Sequence, residues 1–436
     1  MDPARAVEEA ALSNVRAITA ATARGDSEVQ RFYINSVVFV TGGSGFLGKQ
    51  LVEKLLRSCK VSKIFMLLRP KKGKDTQQRL DEILTDPVFE TLEQQQPKFA
   101  DKIVVIDGDV AQLKLGIKDK DWSILIEEVN VIFHVAATTR FDESLRTATL
   151  INVRGTREAL LLGKISFSVL CTYHEPAPGW LDMSCIYGIL FGLSLGVLHV
   201  IHVNPVTSVG TIPCDYVNNA IIVAGRETAI SQSRGGNNTK IYTVSPTLRN
   251  PVIWCEFYYC FAQSTSSKFT STNINPFASH SPAYSPSQAC LKKFYFKRKT
   301  CVYFNLNVFF SRFIKLVNKM NKMNSVLNFF LHNEWIFLDH GLKKLFDSLS
   351  DEDKAIFNFD ITNIDWTEFI IILVLGVRKY ILKDGLEHTE YALKKQRFFR
   401  VLHYIITPLY LYGIWKLFSL LFYIGCTLAS LCFNIM

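Results

Sequence analysis

The chain has 436 residues, 48% hydrophobic and 12% aromatic, with a formal net charge of +10, which is enough apolar material for a large core plus a second domain or a membrane element. Its ten cysteines show no C-x-x-C or similar spacing, which excludes a thiolate metal site; without a secretory signal they read as reduced thiols in a cytosolic compartment, and no metal is expected. The basic residues are scattered except for Lys292, Lys293, Lys297, Arg298 and Lys299, which interleave with aromatic residues; a solvated loop, or one facing an anionic membrane, fits this run better than a nucleic-acid patch, so no nucleic-acid partner is expected.

Residues 1–34 read as an N-terminal arm, Ala-rich and mixed in charge, without the apolar stretch of a signal peptide; a frayed amphipathic helix or a disordered arm is expected. Val37–Thr41 is a continuous apolar run, too short for a helix and right for a buried parallel strand. Gly42, Gly45 and Gly48 follow, and Leu47, Leu51 and Leu55 then recur at helical spacing. A strand that turns on glycines into a helix aims the N–H groups of Ser44, Gly45, Phe46 and Leu47, and the positive end of the helix dipole, at one point. A pyrophosphate fits there: Gly42 permits the turn, Gly45 admits the phosphates and Gly48 lets helix pack on strand.

Lys63–Leu68 reads as the second strand. It ends in Arg69-Pro70-Lys71-Lys72, with no carboxylate. An acidic residue in this place would hold a ribose 2′-hydroxyl, whereas an Arg accommodates a 2′-phosphate. The expected cofactor is therefore NADPH, with Arg69 on the adenosine phosphate; the plainer alternative is a solvated basic loop. Helices are expected at Gln77–Leu84 and Val88–Leu92, around Asp86-Pro87. Ile103–Asp107 is a third strand closed by Gly108, Asp109 and Val110. Asp109 and Val110 lie where adenine would sit, although a turn-forming Asp explains the pattern equally well. Trp122–Glu128 is helical, and Val129–Val135 is a fourth strand. The small residues Ala136 and Ala137 let the middle of a cofactor lie against the backbone, while His134 reads as a core histidine. Asn152–Leu162 is a further helix.

Thr41–Gly48 (TGGSGFLG), Leu68–Gly73 (LRPKKG), Gly108–Val110, His134–Ala137, Arg140–Glu143 and Asn152–Thr156 together resemble the extended short-chain dehydrogenase/reductase fold, and more narrowly the fatty acyl-CoA reductases of animals and plants. Glu175–Asp182 (EPAPGWLD) is similar to the segment with which that family's substrate domain begins, and Asn250–Trp254 to a later piece. Phe359–Trp366 and Gly376–Tyr380 are similar to its C-terminal domain. The resemblance implies NADPH-dependent reduction of long-chain fatty acyl-CoA to a fatty alcohol, through the aldehyde, with release of coenzyme A.

It also implies a Ser on the strand after the Asn152 helix and a Tyr-x-x-x-Lys on the next helix, where the Lys lowers the Tyr pKa and the Tyr protonates the carbonyl oxygen. Here the chain runs from Lys164 through Ile165–Tyr173 directly into Glu175–Asp182. One strand and the catalytic helix have no counterpart, so no catalytic residue is assigned. The spacing recurs at Tyr295/Lys299, Tyr391/Lys395 and Tyr412/Lys416, all far past the nucleotide domain, while Tyr173 and Tyr187 lack the Lys. The expected activity is therefore impaired, and the alternative is a non-catalytic, membrane-tethered NADPH-binding relative.

Cys185–Val203 is uncharged for about a bilayer-spanning length, but its spaced glycines and late histidines fit a span poorly, and the resemblance implies a buried loop, short helix and strand there. Pro213–Ala220 is similar to the family's turn and helix after that strand, and Ile241–Val244 reads as a short late strand. The domains expected are 35–263 for nucleotide binding with substrate-domain elements, shortened near 164–165; 264–301 as a linker; 302–403 as a helical C-terminal domain; and 404–436 as a membrane anchor. Leu417–Ile435 is long enough to span, Tyr410, Tyr412 and Trp415 fit an aromatic belt, and Lys394, Lys395, Arg397 and Arg400 precede it. The expected architecture is α/β, a Rossmann-type parallel sheet with a helical C-terminal domain and a C-terminal membrane segment, and its body faces the cytosol on the endoplasmic reticulum or peroxisome.

Overall fold

The structure, a computed structural model, describes residues 1–71, 73–138, 144–155, 170–182, 203–233, 240–265 and 332–433. The motif at 140–143, the junction at 164–165, Tyr187 with nearly all of the uncharged stretch 185–203, the linker from 266, the basic run at 292–299 with Tyr295/Lys299, and the helix expected from 302 to 331 lie outside the described residues.

Two helices open the chain, α1 (Pro3–Arg24) and α2 (Glu28–Tyr33). Strand β1 (Val37–Thr41) leads into α3 (Phe46–Arg57), and β2 (Lys63–Leu68) into α4 (Thr76–Leu84) and α5 (Glu90–Gln95). Strand β3 (Ile103–Asp107) is followed by α6 (Asp119–Glu128), and β4 (Val131–His134) by the short α7 (Leu145–Ala148). The strands form a parallel sheet in the order β3-β2-β1-β4, with Thr41 opposite both Leu67 and His134. The chain steps outward from β1 to β3 and then returns to the far side of β1. The order thus reverses between β1 and β4, and the crevice at their carboxyl ends is where such sheets bind ligands. Side chains alternate as strand geometry demands: Val38 and Val40 enter the main core with Leu51 and Leu55 of α3, while Phe39 joins a second core with Phe65, Ile106 and Leu125.

Beyond the sheet stand α8 (Cys214–Ser233) and α9 (Trp254–Gln263), then the C-terminal helices α10 (His340–Asp347), α11 (Asp351–Ile356), α12 (Trp366–Gly376) and α13 (Thr389–Phe433). The N-terminal arm is ordered helix rather than a frayed one. Asp2 caps α1 by accepting from the Ala4 N–H, and Ala4, Ala11 and Ala21 are buried where α1 packs on α11 and α12. Asp2 also accepts from the backbone and hydroxyl of Thr389, which ties the first turn of the chain to the root of α13.

Residues 241–244 do not form the expected late strand; they have no strand partner among the described residues, and an extended segment without one cannot join a ladder. Along α13, Tyr404, Ile405, Leu409, Trp415, Leu417 and Phe418 are each more than half exposed. Among the described residues no helix is long and apolar enough to cross a membrane.

Candidate functional site

In the glycine turn between β1 and α3 the three glycines, expected to play separate roles, stand in three different geometries. Gly42 has φ +78°, and a Cβ there would stand 2.6 Å from the Ala136 nitrogen; only glycine fits both the conformation and the close passage of the chain leaving β4. At Gly48 a Cβ would stand 2.2 Å from the Gly42 carbonyl oxygen, so glycine is what lets α3 pack on β1. Gly45 differs. A Cβ there would meet only the Gly42 oxygen, at 3.2 Å, so the protein itself hardly requires a glycine. The space above it lies at the N-terminus of α3, where Gly45 is the N-cap and no side chain caps the helix. An anion is the ligand that uncapped helix ends attract.

Arg69 and Asp109, expected on separate parts of a nucleotide, meet at 3.2 Å across the carboxyl ends of β2 and β3. With Lys71 and Gly116 they line a cleft of about 640 Å³. The Asp109 N–H donates to the Leu115 carbonyl at 2.7 Å and its carboxylate accepts from Ala111 N at 2.9 Å, so the turn reading of Asp109 holds beside its place in the cleft. Val110 packs against the second core. Ala136 is half-buried and Ala137 exposed, just past β4. His134 is a core histidine: its Nδ1 lies 2.6 Å from Thr41 Oγ1, its Nε2 is buried without a partner, and burial pushes the imidazole down to about 4.

No tyrosine–lysine couple stands beside the glycine turn among the described residues. Tyr173 donates its hydroxyl to Glu368 at 2.7 Å, and burial and that carboxylate push its pKa up, away from catalytic use. Tyr33 donates to the Ile222 carbonyl. Tyr391 and Tyr412 are exposed on α13, with Lys416 over the Tyr412 ring.

What the sequence analysis missed is how the segment 170–182, noted there for Glu175–Asp182, is held against α3. Lys54 and Arg57 of α3 both reach Glu175, Arg57 at 2.8 Å, and Arg57 also bonds Glu53 at 2.6 Å; all four side chains are buried. Burial opposes the Glu175 charge, but Lys54 and Arg57 outweigh it and hold the carboxyl below its ordinary range. Asp215, the second residue of α8, accepts from the backbone of Tyr173, His174 and Glu175. Lys49 bonds Asp86 at 2.5 Å and Asp182 at 2.8 Å, Trp180 stacks on Phe46 with ring centroids 4.9 Å apart, and Gly179 abuts Gly376 of α12. No local signal marks these contacts: Lys49, Glu53, Lys54 and Arg57 are the charges that the solvent face of an amphipathic helix ordinarily carries.

Two family profiles match the chain, both described as male sterility protein, one its NAD-binding part over residues 40–168 and the other over residues 293–384. "Fatty acyl-CoA reductase wat" of Drosophila melanogaster is 28% identical over 497 aligned positions, which cover 91% of this chain and 94% of that one. Human "Fatty acyl-CoA reductase 1" is 25% identical over 484 positions, covering 89% and 93%. Both alignments are longer than this 436-residue chain, so the relatives carry stretches that it lacks. Among solved structures, a reductase domain of a nonribosomal peptide synthetase from Mycobacterium tuberculosis superposes with a TM-score of 0.50 at 16% identity, over 83% of this chain and 96% of that one; this likeness supports the Rossmann-like fold.

Proposed function

From the chain's membership of the fatty acyl-CoA reductase family, we propose that it is an alcohol-forming fatty acyl-CoA reductase that uses NADPH. The single observation that carries the cofactor part is Gly45: a glycine that the protein does not need sits over an uncapped helix start at the switch point of the sheet. Ser44, Gly45, Phe46, Leu47 and Gly48 would hold the pyrophosphate, Ala136 and Ala137 would flank the middle of the cofactor, and Asp109 would face adenine. Arg69 and Lys71, with no carboxylate after β2, favour a 2′-phosphate and hence NADPH. Bound there, the cofactor supplies the hydride that reduces the thioester to aldehyde and the aldehyde to alcohol. The chain's own part is to bind and orient: helix dipole and backbone N–H groups would neutralise the phosphates, and Arg69 and Asp109 would part so that one meets the 2′-phosphate and the other the adenine of the adenosine half.

A second reading, a non-catalytic NADPH-binding relative, is favoured by the absence of a tyrosine–lysine couple at the glycine turn among the described residues and by alignments longer than the chain. Incubating the purified full chain with NADPH and a long-chain acyl-CoA separates the two. Fatty alcohol formation establishes the first reading. Protection of the chain by NADPH without alcohol establishes the second.

We also infer that α13 associates with a membrane. Its Ile405, Leu409, Leu411, Leu417, Phe418 and Leu420 are each more than half exposed, and Lys394, Lys395, Arg397 and Arg400 precede them. That order of basic and apolar residues favours a body on the cytosolic side, at the endoplasmic reticulum or peroxisome. Co-flotation of the full chain with liposomes, lost on truncation before Tyr404, is the expected result.

A further inference from the structure

We propose that Trp180 is a positioning residue for the pyrophosphate end of the cofactor, acting through its stack on Phe46. The proposal rests on the dinucleotide reading above.

Phe46 is the first residue of α3, directly after Gly45. Its backbone opens the first turn at the uncapped start of α3, so packing that holds its ring restrains that turn. The ring lies on the Trp180 indole, with centroids 4.9 Å apart and planes within 18° of parallel. Trp180 is itself fixed on every side. It is 1% exposed, and its Nε1 donates to Asp86 Oδ1 at 2.9 Å. Its backbone N–H donates to Thr172 Oγ1 at 3.0 Å, and the neighbouring Gly179 is seated on α12. Lys49, one turn along α3, bonds Asp86 and Asp182 and sits 5.7 Å above the indole.

The first turn of α3 is thereby held from the side of the substrate-domain segment and not by a capping side chain. The loop's own restraints are modest: Gly45 N–H donates to the Gly42 carbonyl at 2.9 Å, and Lys49 N–H to Gly45 O at 2.9 Å. A helix start that is already ordered binds its anion without an ordering cost, and that preorganisation is what the stack contributes. The energy of an aromatic pair of this geometry sets an upper bound of about tenfold on the affinity that this ordering can supply.

The test measures NADPH binding to the full chain in detergent, by titration and by thermal protection, for the parent and for F46L, F46Y, W180F and W180L. The expected result is about tenfold weaker NADPH binding for F46L and W180L, with parent-like affinity within about threefold for F46Y and W180F, which keep a ring in place. A merely structural role predicts lower melting temperatures with unchanged affinity of the folded fraction. A second readout is emission from bound NADPH excited through indole, which W180F should reduce. If W180L fails to fold, the F46L and F46Y pair still decides. Parent-like NADPH affinity in F46L overturns the proposal. A parent chain that NADPH neither binds nor protects overturns the cofactor reading, and the brace with it.

Discussion

Gly179 and Gly376 meet backbone to backbone: a Cβ on Gly376 would stand 2.0 Å from the Gly179 carbonyl oxygen, and one on Gly179 would stand 2.6 Å from the Ile372 carbonyl oxygen. One belongs to the segment that clasps α3 and the other ends α12, so this contact joins the nucleotide domain to the C-terminal helices. Gly376→Ala should therefore destabilise the chain by about 1–3 kcal/mol, the cost of overpacking a close contact. Gly413→Ala is the control. It lies within α13 with nothing within 4 Å of the added carbon, and Ala favours helix over Gly by about 0.8–1 kcal/mol. Chemical denaturation of both variants checks this; equal effects would remove the steric account of the Gly179–Gly376 junction.

The glycine turn predicts different behaviours for Gly45 and Gly48. Gly45→Ala should fold with stability near that of the parent, because only one contact at 3.2 Å must give, yet it should lose NADPH protection because the methyl enters the pyrophosphate space. Gly48→Ala should instead lower stability by an amount comparable to Gly376→Ala, about 1–3 kcal/mol, because the added carbon collides with the Gly42 backbone at 2.2 Å. Melting curves with and without NADPH separate the two effects. A Gly45→Ala chain that NADPH protects like the parent would show that no phosphate approaches there.

Much of the sheet was legible in the sequence because its strands are short apolar runs bounded by Gly, Pro and charge. Val37–Thr41, Lys63–Leu68 and Ile103–Asp107 form with the expected limits, while the fourth strand is Val131–His134, shorter at both ends than expected. Contacts between distant segments were not legible. Lys54 and Arg57 looked like the solvent face of an amphipathic helix, and nothing local reveals that Glu175 neutralises them in the interior. The arm at 1–34 was misjudged for the same reason: Ala4, Ala11 and Ala21 are too small to signal a buried face, and their burial depends on α11 and α12, more than 300 residues downstream.

The Arg69–Asp109 pair is exposed enough to exchange partners, with the Arg69 side chain 55% accessible. Arg69→Glu should weaken NADPH far more than NADH. A hydrogen bond to a charged group contributes about 1.5–3 kcal/mol, so a preference for NADPH of roughly tenfold or more should vanish or reverse. Dissociation constants for both nucleotides, measured at fixed salt, provide the check. An unchanged ratio would remove Arg69 from the phosphate site and leave its pairing with Asp109 as surface structure.

His134 makes the fold sensitive to mild acid. Its ordinary value is 6.5, and burial lowers it to about 4 in the folded chain. Between those values the unfolded state takes up a proton that the folded state refuses, so stability is highest above pH 6.5 and falls as the pH drops toward 4. The loss assigned to this one group is about 2 kcal/mol between pH 7 and pH 5. The cause is local: Nδ1 is engaged by Thr41 at 2.6 Å, and Nε2 is buried with nothing to receive a second proton's charge. His134→Asn should lower stability at pH 7 by removing ring packing, yet show a flatter fall across this window. The measurement is the denaturant midpoint of parent and variant at closely spaced pH values, with the difference between the two curves carrying the result, since carboxylates such as Glu175 contribute alike to both. Parallel curves would mean that the imidazole protonates in place, and the buried Nε2 would then have to reach solvent or an acceptor in the folded state.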